Sequence, residues 1–361
     1  MKKLNFEGPI NGLSLGNVTV NFLRELKKRE VDIALFPVGD KGEFESYDKI
    51  NDDFKKWVGN LAITRLKNLN ADTASLKVWH INGCEKLLPN QHLYTFYEVD
   101  SPTEEEINII KLQKHVFFSS SEATQSFKDC GCENVSYVPL GFDPDFHETD
   151  KEYLDKSVTH FGLIGKFERR KNTQAIIQLW LQKFGNNPAY QLSCLVTNPF
   201  FNNDQMTEAI RSSLGGGSYS NINFLPRLTT NSEMNDFMNS IHIDLSGLSN
   251  GEGWNLPSFN TTALGKWSIV SNCSAHKDWA TEENSILVEP VDKQPCYDNF
   301  HFKEGMPFNQ GNYYKLKGDD ISLAFDRAIK KARQKNTEGI KLRDEFTYSK
   351  TIDSILNHIY N

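Results

Sequence analysis

The chain has 361 residues, 38% of them hydrophobic and 12% aromatic, which is room for two domains with cores of their own and far from the composition of a disordered chain. The net charge of -7 sits wholly in residues 1–150, which carry 17 basic and 24 acidic side chains, so that half is unsuited to nucleic acid or an anionic membrane as partner. No apolar run approaches the length of a transmembrane helix. The basic start lacks the apolar stretch of a secretory signal, and the scattered Cys84, Cys130, Cys132, Cys194, Cys273 and Cys296 lack zinc-site spacing. The expectation is a cytoplasmic chain of thiols with no metal and no transmembrane segment.

In chain order, a helix over Thr19–Arg29 is followed by strands at Val31–Pro37, Leu76–His80, His92–Tyr97, His115–Phe118 and Val135–Pro139, with a helix starting near Ser121. The rhythm restarts after residue 154. Strand His160–Gly165 leads to helix Asn172–Phe184, strand Tyr190–Thr197 to helix Asp204–Leu214, and strands Asn223–Leu225 and Ile241–Leu245 flank a helix from about Ser232. Apolar residues at Ile352, Ile355, Leu356 and Ile359 have helical spacing. Strands alternating with helices imply parallel sheets covered on both faces. The expected fold class is therefore α/β, two doubly wound Rossmann-like domains: 1–153, 154–340, and a terminal helix in 341–361 packing back on the first domain.

In such sheets ligands bind at the carboxyl ends of strands. Three loops stand there. Gly165-Lys166-Phe167-Glu168-Arg169-Arg170-Lys171-Asn172 places four cations before a helix, where backbone N–H groups and positive charge suit a diphosphate; a solvated cluster with Glu168 as counter-ion is the alternative. Ser249–Asn260 places Glu252 between Gly251 and Gly253 ahead of a helix near Pro257, and reads as a phosphate- or sugar-binding loop or a tight turn. Asn11–Asn17, with Gly12 and Gly16, is an incomplete glycine fingerprint and reads also as a plain strand–helix loop. His80 and Glu98 follow strands and are candidate cleft residues, with structural roles as the alternative.

These loops in this order resemble the retaining glycosyltransferases of the GT-B fold, specifically family 4, the glycogen-synthase-like "glycosyl transferases group 1" type. Residues 165–172 are similar to that family's G-R-L-x-x-x-K-G, and Glu252–Asn260 to its E-G-F-G-L-P-x-x-E. Val138-Pro139-Leu140-Gly141-Phe142-Asp143 resembles V-P-N-G-V-D, and Phe346–Ser349 the segment before the last helix. The resemblance implies two domains facing each other across a cleft, and transfer of a sugar from a nucleoside-diphosphate-sugar donor to a saccharide, glycan or lipid acceptor, with retention and without a metal or other cofactor. It implies catalytic roles for Glu252, Lys171 and Lys166, and donor contacts for Gly12, Gly16, Gly165, Gly253, Trp254, Asn255, Leu256 and Asn260. Two positions depart from the family. Lys166 stands for Arg and gives up the planar fork; Asn260 stands for the second Glu and gives up a charge-assisted bond to ribose. The departures keep open a catalytically degenerate nucleotide-sugar binding or scaffold protein. Another GT-B enzyme, such as a sugar epimerase, is the third reading.

Overall fold

The computed structural model describes residues 2–39, 42–84, 88–300 and 302–361. The expected α/β architecture is present, as two six-stranded parallel sheets. The first contains β1 (Lys3–Pro9), β2 (Asp32–Val38), β3 (Ser75–Val78), β4 (Gln91–Thr95), β5 (His115–Phe118) and β6 (Val135–Tyr137), in the order β2-β1-β3-β4-β5-β6. The second contains β7 (Thr159–Lys166), β8 (Tyr190–Thr197), β9 (Ile222–Phe224), β10 (Ile243–Asp244), β11 (Trp267–Ser271) and β12 (Ile286–Val288), in the order β12-β11-β10-β7-β8-β9. Helices α1 (Ser14–Lys28), α2 (Asp52–Asn68), α3 (Glu104–Leu112) and α4 (Ser121–Asp129) cover the first sheet. The second is covered by α5 (Thr173–Phe184), α6 (Asn203–Ser213), α7 (Asn231–Ser240), α8 (Leu256–Ala263) and α9 (Gly318–Lys331), with α10 (Thr337–Glu345) against α8. Among the described residues no helix is long and apolar enough to cross a membrane.

The strand orders fix where ligands can bind. Each sheet reverses its winding once, between β1 and β3 in the first and between β7 and β10 in the second, and at such switch points two neighbouring crossovers leave on opposite faces and open a crevice. The loops after β1, β3, β7 and β10 carry Gly12, His80, Lys171 and Glu252.

Each domain has an aromatic core. In the second, Phe161 lies 5.3 Å from Phe184 and 6.0 Å from Trp180. In the first, α1 packs Phe22 edge-on against Tyr94 at 5.0 Å. The last helix, α11 (Tyr348–Tyr360), belongs to that core: Ile352, Ile355 and Leu356 are buried with Phe22 and Leu23. Arg29, just past the end of α1, binds Asp353 at 2.8 Å.

Residues 291–315 carry no legible period in the sequence, and they form an arm. Strands β13 (Asp292–Pro295) and β14 (Asn312–Lys315) pair antiparallel, and the chain between and beside them crosses to the first domain. Cys296, Phe302 and Tyr313 are buried there among Ile81, Leu93, Tyr97 and Val99. Asp100 accepts from Lys293 Nζ and from Asn312 N, both at 2.8 Å, and Glu106 accepts from Asn309 N at 2.8 Å.

Candidate functional site

The loop after β7 and the loop after β10 converge on Glu252. The carboxylate is 3% exposed, with Lys171 Nζ at 2.5 Å from Oε1 and Arg170 NH1 at 3.1 Å from Oε2. Burial alone would raise its pKa, but Lys171 and Arg170 outweigh that and hold it at about 2. Arg170 is the centre of the cluster. It also donates to Gly251 O at 2.7 Å, to Glu168 at 2.8 Å and to Glu98 of the first domain at 3.1 Å. Three carboxylates thus face Arg170 and Lys171. Burial raises the pKa of Glu98, with Arg170 opposing and Glu252 adding to the rise.

Sequence reading singled out Lys171 and missed Arg170, which sits at an unassigned position of the resembled motif. Lys166, the last residue of β7, is half-buried, with its Nζ 5.7 Å from the Phe200 ring centre. Gly165, the next-to-last residue of β7, has a φ of +153°.

Two asparagines occupy left-handed backbone where the resembled motifs carry glycine: Asn172 at φ 57° and Asn255 at φ 68°. Asparagine is the non-glycine residue that best tolerates this conformation. Asn255 is held there by its side chain, which donates to Ser246 O at 2.8 Å and to His276 Nε2 at 2.9 Å and caps α8 through Ser258 N. The bond from Asn255 makes Nε2 of His276 an acceptor, so Nδ1 carries the proton and donates to Ser271 O at 2.9 Å. Burial pushes the His276 pKa down to about 4, which keeps this neutral form. His276 escaped the sequence reading, because a histidine in a short 3₁₀ turn carries no local signal.

Among the described residues no acceptor takes the N–H of Asn255 or Leu256. These donors stand at the start of α8, a few residues after Glu252, the partner of Lys171. Helix α5, unlike α8, starts with no side-chain cap, and it has no acidic residue in its first turn.

Packing between the domains itself requires glycine at 251 and 253. A Cβ on Gly251 would meet Glu98 O at 2.6 Å, and one on Gly253 would meet Phe96 Cβ at 2.6 Å. The glycines let the second domain's loop lie directly on the end of β4, where Ser119 Oγ donates to Gly253 O at 2.6 Å. Trp254 is closed in the core, 5.2 Å from Phe259 and 5.4 Å from Phe346, so its ring does not line the cleft. Asn260 is also interior, and its Oδ1 accepts from Asp143 N at 3.3 Å in the segment joining the domains.

From the first domain, Gly12 lies exposed at the tip of its loop, next to Ser46 and to Arg227 of the second domain. Helix α1 starts at Ser14, five residues earlier than the pattern implied, because Asn11 Oδ1 accepts from Leu13 N at 2.9 Å and turns the chain. Gly16 is therefore in the first helical turn, where any Cβ would overlap Asn11 O at 2.2 Å. This helix also has no side-chain cap and no first-turn acid. His80 lies two residues after β3 with its side chain exposed; incomplete hydration among its neighbours, then Lys166 and Arg170, lower its pKa to about 4, so it is neutral at physiological pH.

The sequence matches no protein-family model and no curated protein. The structure does match solved chains over its whole length. Sucrose-phosphate synthase from Thermosynechococcus elongatus aligns at a TM-score of 0.69 and 11% identity, over 100% of this chain and 98% of that one. Trehalose-6-phosphate synthase OtsA aligns at 0.67 and 12%, over 99% of each chain. HepE from Anabaena, solved with UDP and glucose, aligns at 0.63 and 10%, over 99% of each chain. The chain has the GT-B fold. In this GT-B chain, the two switch points face each other with the Lys171–Glu252–Arg170 cluster on one side and Gly12 and His80 on the other.

Proposed function

We propose that the protein is a glycosyltransferase taking its sugar from a nucleoside diphosphate held between the domains. What supports this reading is that Lys166, Lys171 and the N–H groups without acceptors at the start of α8 all lie on β7, or on the segments after β7 and β10, at the second domain's switch point. Those groups complement a diphosphate leaving group, whose charge grows as the glycosidic bond breaks. Because side chains and a helix N-terminus supply the positive charge, the reaction needs no metal. The solved relatives with UDP or UDP-glucose bound support the same donor class for this chain.

Each residue then has a task. Lys171 and Lys166 neutralise the phosphates. Asn255 and Leu256 bind the distal phosphate through their N–H groups. Glu252 fixes the Lys171 ammonium and offers its remaining lone pairs to sugar hydroxyls. Neutral His80 and Glu98 face the sugar from the first domain, where the acceptor enters. The order of the loops matches that of retaining enzymes, so transfer keeps the anomeric configuration. With Asn260 turned inward, ribose is held by backbone groups rather than by a carboxylate.

Thermal melting with UDP, GDP and ADP tests the donor site. A nucleotide at 100 times its dissociation constant adds about 2.7 kcal/mol of stability; if none of the three moves the transition, the donor reading falls. One observation favours a second reading, a binding protein without turnover: Lys171 and Arg170 already have carboxylate partners, so a diphosphate must compete for them. Nucleotide binding without release of sugar from any donor would select it.

A further inference from the structure

A second cavity, of about 840 Å³, lies outside the interdomain cleft. Its walls are α5, α6, the outer side of the loop after β7, and the tip of the arm at 297–300; every lining residue belongs to the second domain. The volume is that of a small-molecule site, within the usual range of about 300–1,000 Å³. Nothing in the donor reading uses this space.

The lining is rich in side-chain amides whose bonding capacity is half spent. Gln174 and Gln178, one turn apart on α5, donate to Ser212 Oγ at 3.1 Å and Ser212 O at 3.4 Å, which leaves both carbonyl oxygens as acceptors. Gln205 accepts from Asn202 N at 2.9 Å, which leaves its NH₂ as a donor. Glu208 adds an exposed carboxylate. Free donors and acceptors in alternation match hydroxyl groups, which give and take at one atom.

At the mouth stand aromatic rings. Phe300 is 46% exposed, with Phe201 at 6.0 Å and Phe200 at 6.1 Å, both edge-on. Exposed rings at a mostly apolar cavity that carries a few side-chain amides fit a ligand with an apolar face and a polar rim. Among the described lining residues Arg169 is the one cation, and its NH1 is spent on Tyr297 O at 2.5 Å; Glu168 is paired with Arg170, while Glu208 and Asp298 contribute negative charge. That balance disfavours phosphorylated or acidic ligands.

We infer that this groove is a second, non-catalytic saccharide site, binding a neutral oligosaccharide segment on the outer side of the loop whose inner side carries Lys171. The site is independent of the donor reading: it stands on its own lining and survives if no nucleotide binds.

Calorimetric titration of the whole protein with maltotetraose, cellotetraose and chitotetraose, with and without saturating UDP, tests it. At least one tetrasaccharide binds, with an affinity unchanged by UDP. Gln178→Ala and Phe300→Ala each weaken that binding about tenfold, with melting temperature and nucleotide binding retained. Three results overturn the inference: none of the tetrasaccharides binds at millimolar concentration, UDP displaces the one that binds, or both variants bind it as the unsubstituted protein does. Inorganic phosphate serves as the anionic probe, and its binding in the groove with loss in Phe300→Ala would also overturn it.

Discussion

Lys171 and Glu252 meet at 2.5 Å with Glu252 only 3% exposed, a contact between the two loops that define the second domain's switch point. The pair pre-positions an ammonium group where the proposed leaving group departs. Substituting Lys171→Ala removes that charge from a partly dehydrated site, and donor turnover or hydrolysis is expected to fall by about 10²–10³. The loss belongs in kcat, because the interaction grows as charge develops on the diphosphate. Steady-state kinetics with the best donor checks this, and an unchanged kcat would remove Lys171 from the chemistry.

Arg170 holds the cluster together. It serves four acceptors, in Glu98, Glu168, Gly251 and Glu252, from both sides of the cleft. Arg170→Met leaves three carboxylates facing Lys171 alone, and a buried pair broken from one side costs about 3–5 kcal/mol. Arg170→Lys restores charge without the planar fork, so most of the loss persists. Urea denaturation of both variants distinguishes this from a purely charge-based role, in which the lysine variant would recover full stability.

Arg169 and Arg170 show why part of this site was illegible beforehand. In the sequence they are equivalent neighbours; in the structure Arg169 is exposed and bonded to Tyr297 O, whereas Arg170 is buried among carboxylates. Only the turn from β7 into α5 decides which faces inward. The strand–helix alternation from β7 to α6 was legible because each element has its own period. The arm at 291–315 was not, since its strands are four residues long and Tyr313 and Phe302 complete the core of a domain whose other members lie two hundred residues earlier. Glu252 was legible from its glycine neighbours, although those glycines serve the contact with Phe96 and Glu98.

Stability should fall in two stages as the solution is acidified. His276 has a folded pKa near 4 against an ordinary 6.5, so between these values the unfolded state binds the proton and the native state does not. Its contribution is complete above pH 6.5 and declines as pH falls toward 4, in all by about 3 kcal/mol. His160 and His242, also held at about 4 by burial, act in the same window and with the same sign. Glu252, depressed to about 2 from 4.5, loses its contribution below pH 4.5. Urea midpoints measured from neutral pH downward should decline first through the histidine window. His276→Gln should start less stable and lose less across that window. An equal slope in the two proteins would contradict a neutral, buried His276.

The two left-handed asparagines offer a contrast that separates backbone strain from side-chain bonding. Asn172 makes one long side-chain contact, 3.4 Å to Leu248 O, whereas Asn255 binds Ser246 O and His276 and caps α8. Glycine relieves the backbone at both positions but raises the entropy of the unfolded chain. At Asn172 these effects nearly cancel, and Asn172→Gly should lie within about 0.5 kcal/mol of the parent. At Asn255 glycine leaves His276 Nε2 without its donor inside the protein, and Asn255→Gly should cost about 1–3 kcal/mol. Asn255→Gly should also weaken nucleotide binding, because the N–H groups of residues 255 and 256 lose the cap that aims them. Denaturation and nucleotide titration of the two variants check the pair, and equal effects at both positions would show that backbone conformation alone sets the identity of these residues.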